Sequence, residues 1–268
     1  MQSNVGIRWT VGDVSPAGFE SLQLSLHSVV RLFGSSAEYK VCVNTIPVEE
    51  ARLRTGVHPD CVGWCSAPTH PPCFLRQFLG TAMAEGVAWK FLPARLFHEL
   101  HELALDNDVI LWEIPDIIRD WLCGSDRTAC LIAADDVLAH GKFAELCGPA
   151  PRNSGIRGLP PEFDYEAALK AVLEKIPASL ESELDEQGLQ VAAVSLKSAP
   201  LVVSSADVSI CSPFYPHTPE LGRCGAHFVG INARHLPWTY YGRPAIEVRL
   251  AHWMRLRDEL YRRTGFVP

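Results

Sequence analysis

The segment Leu105-Asp106-Asn107-Asp108-Val109 sets two carboxylates two residues apart, between apolar runs at 103–105 and 109–112. Such runs mark buried strands, and charges beside them are costly unless something compensates them. A bound cation is one compensation. Hard carboxylate oxygens suit Mg²⁺ or Mn²⁺, which keep their other positions for water and phosphate oxygens. In extended backbone, side chains at i and i+2 point the same way, so Asp106 and Asp108 could reach one ion together. The alternative for the same residues is a turn, because Asp and Asn bond their own backbone.

The elements that must carry this pair alternate. Residues 6–10 read as a first strand, 11–17 as a turn-rich loop, 19–33 as a helix stopped by Gly34, and 39–43 as a second strand. Further on, 58–72 reads as loop, 74–84 as a short helix, 92–97 as helix, and 101–105 as a strand running into the carboxylates. A short helix at 114–122, a strand at 129–133 and a Gly/Pro-rich loop at 149–161 follow. Helices at 165–175 and 178–189, short strands at 201–203 and 208–210, and a C-terminal helix at 247–263 complete the chain. The alternation predicts an α/β fold with a mostly parallel sheet. Ligands of such sheets bind beyond the carboxyl ends of the strands, and Asp106 stands at such an end.

The composition narrows the function classes. The chain has 268 residues, 47% hydrophobic and 21% charged, which is ordinary for a globular protein with its own core. A net charge of −7 argues against generic nucleic-acid binding. No apolar run approaches the roughly 18–20 residues that span a bilayer. Residues 1–12 lack the cationic and apolar pattern of a secretory signal, so a cytoplasmic location is expected. Nine cysteines are spread along the chain. Cys61, Cys65 and Cys73 share a Pro-rich stretch, which leaves zinc as an alternative. Without a C-x-x-C pair, the reading is free thiols in a reducing compartment.

Four segments, one of them ending in the carboxylate pair itself, follow one another along the chain. Residues 16–34 (PAGFESLQLSLHSVVRLFG) form one, and 90–108 (KFLPARLFHELHELALDND) the next. The third is Asn153-Ser154-Gly155 with Glu186-Gln187-Gly188-Leu189 beyond it. The last is His227-Phe228-Val229-Gly230, ending at Pro237-Trp238. In this order the segments resemble those of the retaining GT-A-fold glycosyltransferases of family 8, the group containing glycogenin and bacterial galactosyltransferases. The resemblance covers residues 6 to about 240. The chain departs from the pattern in three ways. Asn107 replaces a small residue inside D-x-D, Glu186-Gln187 stands for the family's Asp-Gln, and the closing motif carries about three extra residues and lacks the family's lysine.

The resemblance implies a hexosyltransferase using a nucleotide-diphospho-sugar such as a UDP-hexose, with an acceptor not named by the sequence. A catalytic domain over 1–245 would carry a docked C-terminal helix at 246–268. The leaving diphosphate builds negative charge, which a divalent cation and basic side chains stabilise. Asp106 and Asp108 would each give an oxygen, and the family pattern implies His227 as a third ligand. An imidazole in the set favours Mn²⁺ over Mg²⁺. Arg234 and His235 are candidates for gripping the phosphates in place of the missing lysine. Lys90 and Gly230 would lie at the donor. Thr10 and Asp13 belong to the loop where uracil and ribose would rest, with a plain turn as the alternative for Asp13. Asn153 and Gln187 would face the donor sugar or the acceptor. A neutral amide is no strong nucleophile, so retention would favour front-face attack assisted by the leaving phosphate, unless Asp185 or Glu186 reaches the anomeric carbon.

Other features have two readings each. Residues 238–241 (WTYY) could stack on a sugar ring, but core packing is expected. The C-terminal helix, with Arg249, Arg255, Arg257, Arg262 and Arg263, could hold an anionic membrane surface. Its Glu247, Asp258 and Glu259 favour docking on the domain instead. Two other functions compete: a phosphate-ester hydrolase built on Asp106, Asp108, Asp135 and Asp136, and a catalytically silent relative of the fold.

Overall fold

The computed structural model describes residues 5–68, 71–79, 88–124 and 127–267. Strand β1 (Val5–Val11) is buried almost throughout and pairs in parallel with β2 (Ala37–Val43). Between them runs α1 (Pro16–Phe33). Ser15 starts α1 by accepting from Gly18 N at 3.0 Å, and Pro16 fills the first turn, where its missing N–H costs nothing. Gly34, at φ 55°, stops it. Leu22, Leu26 and Val29 press α1 onto the sheet, while Ala17 and Leu24 serve a second apolar cluster.

Helix α2 (Val48–Thr55) leads to β3 (Val62–Ser66), an outer strand parallel to β2. After the one-turn α3 (Cys73–Arg76), β4 (His101–Asp106) pairs in parallel with β1 on its other side. Asn107 and Asp108 turn the chain into β5 (Val109–Leu111), and α4 (Asp116–Cys123) and β6 (Leu131–Ala134) follow. After α5 (Ala144–Cys147), β7 (Arg152–Leu159) runs antiparallel to both β4 and β6. Helices α6 (Tyr165–Lys175) and α7 (Glu183–Val194) cover that half of the sheet. Strand β8 (Leu201–Val203) closes it, giving the order β3-β2-β1-β4-β7-β6-β8. The small sheet β5-β10-β9 is completed by β9 (Val208–Ile210) and β10 (Gly225–His227). A hairpin of β11 (Thr239–Tyr240) and β12 (Arg243–Pro244) precedes α8 (Ala245–Thr264). Helix α8 packs Trp253, Leu256 and Leu260 with Ala17 and Leu24 of α1. Trp253 Nε1 and Tyr261 Oη both donate to Glu20, and Arg257 pairs with it. The fold is the expected α/β arrangement around a mostly parallel sheet, and α8 docks rather than standing free.

Several sequence expectations are corrected. The Gly/Pro-rich stretch 149–161 contains β7, a buried central strand. Its glycines are there because neighbours press in: a Cβ at Gly158 would lie 2.8 Å from Trp121 and 2.7 Å from Leu131. The helix expected at 92–97 is absent. Its backbone is satisfied by buried side chains instead: Arg8 donates to Pro93 O, and Glu102 accepts from Leu96 N and Phe97 N. The helix expected at 178–189 starts later, at Glu183, where Ser182 caps it. Of the helix expected at 74–84, the structure has Cys73–Arg76, and residues 80–84 lie outside the described residues. The cysteines at 61, 65 and 73 are free thiols. Among the described residues no helix is long and apolar enough to cross a membrane.

Candidate active site

A cavity of about 550 Å³ opens beyond the carboxyl ends of β1, β2 and β4. Register builds its floor. Thr10 lies beside Asp106 across the β1–β4 pair. Asp108 is delivered by the turn after β4, not by extended strand, so the two acids meet through a bend in the chain. His227 arrives from β10, opposite Val109 of β5. Phe228 N donates to Asp108 O at 2.9 Å and fixes the crossing.

Asp106, Asp108 and His227 thus converge, with one ligand atom of each within 4.8 Å of the others. His227 Nε2 stands 3.2 Å from Asp108 Oδ1 and 3.8 Å from Asp106 Oδ2. Burial works against a charged imidazole, but Asp108 and Asp106 outweigh it, so the His227 pKa lies above its ordinary value. Lys90 Nζ donates to Asp106 Oδ2 at 2.9 Å and stands 3.7 Å from Glu186 Oε2. Burial opposes its charge too, and Asp106 and Glu186 again prevail, raising its pKa. The acids therefore draw positive charge from two directions. Asp108 Oδ1 and His227 Nδ1 are buried without a hydrogen bond. This donor set of two carboxylates and an imidazole, converging within one ligand sphere and holding buried polar atoms without a hydrogen bond, fits a divalent cation.

The other expected residues divide. Asn153, Glu186, Gln187, Thr10, Asp13, Lys90 and Gly230 all line the cavity. Gln187 is pinned at both ends: Nε2 donates to Ala139 O at 3.0 Å and Oε1 accepts from Ser154 N at 3.3 Å. Asn153 Oδ1 accepts from Gly155 N, and its Nδ2 donates to Asp135 Oδ2. Gly155 is required by its neighbour, since a Cβ there would lie 2.3 Å from His227 Cε1. Glu186 is only 2% exposed. Burial pushes its pKa up to about 7 against the pull of Lys90, and its Oε1 accepts from Gln190 Nε2.

Three expectations are corrected. Asp185 is not in the cavity: its carboxylate accepts from Lys142 N and Glu181 N, both at 2.9 Å, closing the start of α7. Arg234 is turned to Asp13 and Val14 O at the rim, so its fork is engaged by the protein itself. His235 is exposed and does not line the cavity. Asp13 is held between Arg54 and Arg234, and the Arg54 hydrogen bond depresses its pKa. Asp135 lines the cavity but gives its oxygens to Asn153 Nδ2 and to Asp136 N and Val137 N, apart from the metal-ligating group.

Sequence reasoning missed Asn44, Asn232 and His217, all of which line the cavity. Asn44 directly follows β2, and a polar residue just past a strand's carboxyl end is a signal that was available. Asn232 lies in the extended closing motif. It exchanges two hydrogen bonds with Asn107, at 2.7 and 3.0 Å, and donates to Asp108 Oδ2 at 3.2 Å. The unusual residue inside D-x-D is therefore paired with the unusual residue of the closing loop. Nothing local marks His217.

No protein-family model matches the sequence, and no curated protein does. Solved structures do match. The galactosyltransferase LgtC in complex with donor and acceptor sugar analogs superposes with a TM-score of 0.55 at 13% identity, over 98% of this chain and 97% of that one. The bifunctional glycosyltransferase WbbM, in its apo structure, gives 0.57 at 15% identity over 98% of this chain and 52% of that one. Mouse xyloside xylosyltransferase 1, also apo, gives 0.52 at 10% identity over 87% of this chain and 99% of that one. The fold shared with these proteins is the GT-A fold.

Proposed function

We propose that the chain is a divalent-metal-dependent glycosyltransferase that moves a hexose from a nucleotide-diphospho-sugar, a UDP-sugar in the first instance, to an acceptor with retention. One observation carries this reading. Two acids from the middle of the chain and an imidazole from near its end converge at the floor of a cavity large enough for a nucleotide-sugar.

Asp106, Asp108 and His227 would hold Mn²⁺, or Mg²⁺. The bound cation supplies charge neutralisation for the departing diphosphate. Lys90 lines the cavity beside Asp106 and would add positive charge on the side of the phosphates. Thr10, Gly12, Asp13 and Asn44 line the cavity and offer the base and ribose polar groups. Asn153 and Gln187, both locked by hydrogen bonds, offer amides to the sugar hydroxyls. Glu186 is buried and its Oε1 is engaged by Gln190 Nε2, which weakens it as a nucleophile; Asp185 faces elsewhere. These placements support front-face attack, in which the leaving phosphate takes the acceptor's proton, over a covalent glycosyl-enzyme. A phosphate-ester hydrolase has less support, because Asp135 and Asp136 do not join the ligand group.

The test is titration calorimetry of UDP with and without Mn²⁺. The wild type is expected to bind UDP only weakly without the ion. Asp106→Ala, Asp108→Ala and His227→Ala should each lose most of the Mn²⁺-dependent affinity, about 10–100-fold or more, while remaining folded. Wild-type affinity in all three variants would refute the metal role.

A further inference from the structure

The structure carries an aromatic platform that the reading above does not use. Among the described residues, three aromatic side chains stand out as large and exposed: Tyr215 at 87%, Tyr241 at 91% and Trp238 at 41%. Trp238 and Tyr241 belong to one ring cluster, and Tyr215 adjoins it through its backbone. Phe214 is its hub, edge-on to Trp238 at 4.6 Å and to Tyr240 at 5.1 Å, and Tyr240 meets Tyr241 at 4.6 Å. Tyr240 Oη accepts from Tyr215 N at 3.4 Å, tying the loop after β9 to the β11–β12 hairpin. The core packing expected for 238–241 is thus confined to the inner rings, and the outer ones face water. Exposed apolar clusters of this kind mark interaction sites.

The hairpin turn adds a second observation. Tyr241 and Gly242 both have positive φ, 47° and 77°, the pattern of a turn that favours Asn-Gly. A tyrosine is a poor choice for that backbone, yet it is held there with its ring in solvent. Strain kept at an exposed aromatic points to use.

Position says what the use is. Ile210 of β9 pairs with His227 of β10. Five residues on stands Tyr215, no more than about 17 Å away along the chain. Two residues further, His217 lines the cavity, and Ser212 N donates to Thr218 O to close the loop's base. The platform and the cavity are therefore parts of one rim. Its charge is low: between 212 and 219 the one side chain of the His, Lys, Arg, Asp and Glu types is His217, the hairpin adds Arg243, and Arg249 stands over the Phe214 ring at 5.6 Å. An anionic membrane surface is met by clusters of lysine and arginine, not by such a patch.

We propose that Tyr215 and Tyr241, backed by Trp238 and Tyr240, form a subsite for a neutral sugar ring. The ring lies with its C–H face on the aromatic faces and its hydroxyls toward the tyrosine Oη atoms and water. Calling that sugar the acceptor rests on the glycosyl-transfer reading: the acceptor is then a glycan of two or more units, one reacting beside His227 and the next stacked on the platform.

The experiment is saturation-transfer NMR on the full chain with lactose, maltose and cellobiose as probes, in the absence of nucleotide and metal. At least one should bind. Tyr241→Asn, which suits the turn, should keep or raise thermal stability and yet weaken that probe about tenfold, and Tyr215→Ala/Tyr241→Asn should abolish the signal. No signal from any of the three probes, or equal signals from the variants, overturns the proposal. So does co-sedimentation of the wild type, but not the double variant, with phosphatidylglycerol vesicles when no probe binds. The calorimetric UDP titration is independent: sugar binding without Mn²⁺–UDP binding would leave the platform standing and remove the transferase reading.

Discussion

Glu186 and Gly155 show at the residue scale what this cavity demands of individual groups. Glu186 titrates in the folded chain near pH 7 instead of 4.5, because burial disfavours its charge. The folded state therefore binds more protons than the unfolded state between those values, and stability falls as pH rises through that window. The shift corresponds to roughly 3 kcal/mol. In chelator, Glu186→Gln should match the wild type near pH 4.5 and exceed it above pH 7, by up to that amount. Parallel stability curves in urea melts at several pH values would contradict the assignment. Gly155 leaves room for the His227 ring. Gly155→Ala should destabilise the fold by about 1–3 kcal/mol and weaken Mn²⁺ binding, because ring and backbone must both give way. A circular-dichroism melt and a Mn²⁺ titration check both effects.

At the scale of elements, the site is made by the meeting of two segments. The turn after β4 and the loop after β10 are joined by Phe228 N to Asp108 O and by the reciprocal amides of Asn107 and Asn232. Breaking a buried amide pair on one side leaves the other unsatisfied, which costs about 1–3 kcal/mol. Asn107→Ala and Asn232→Ala should each cost that much, and the double variant clearly less than their sum. Strict additivity in denaturant melts would show that the pair is not coupled. The sequence displayed part of this. Strands β1, β2 and β4 and helix α1 follow simple apolar periods and were legible, as was Asp106 at a strand's carboxyl end. Strand β7 was not, because Asn153, Ser154, Gly155 and Gly158 carry no strand propensity; the two glycines are set by the side chains of His227, Trp121 and Leu131 that crowd them. The reach of Asn232 to Asn107, and the turning of Arg234 to Asp13, are tertiary facts with no local trace.

For the whole molecule, chain topology puts residues more than a hundred positions apart around one point. Helix α8 docks on α1, which holds the far end of the chain against the first half. With the ion bound to the native state alone, Mn²⁺ with UDP should raise the melting temperature by several degrees for about 2–3 kcal/mol of linkage, and chelator should reverse it. A thermal scan that ignores both ligands would count against the site. The most direct measurement is pulsed electron paramagnetic resonance of Mn²⁺ bound to the chain with UDP. The account predicts coupling to one imidazole nitrogen, altered when the histidines carry the heavy nitrogen isotope, together with coupling to UDP phosphorus. Bound Mn²⁺ that couples to phosphorus but to no histidine nitrogen would contradict it.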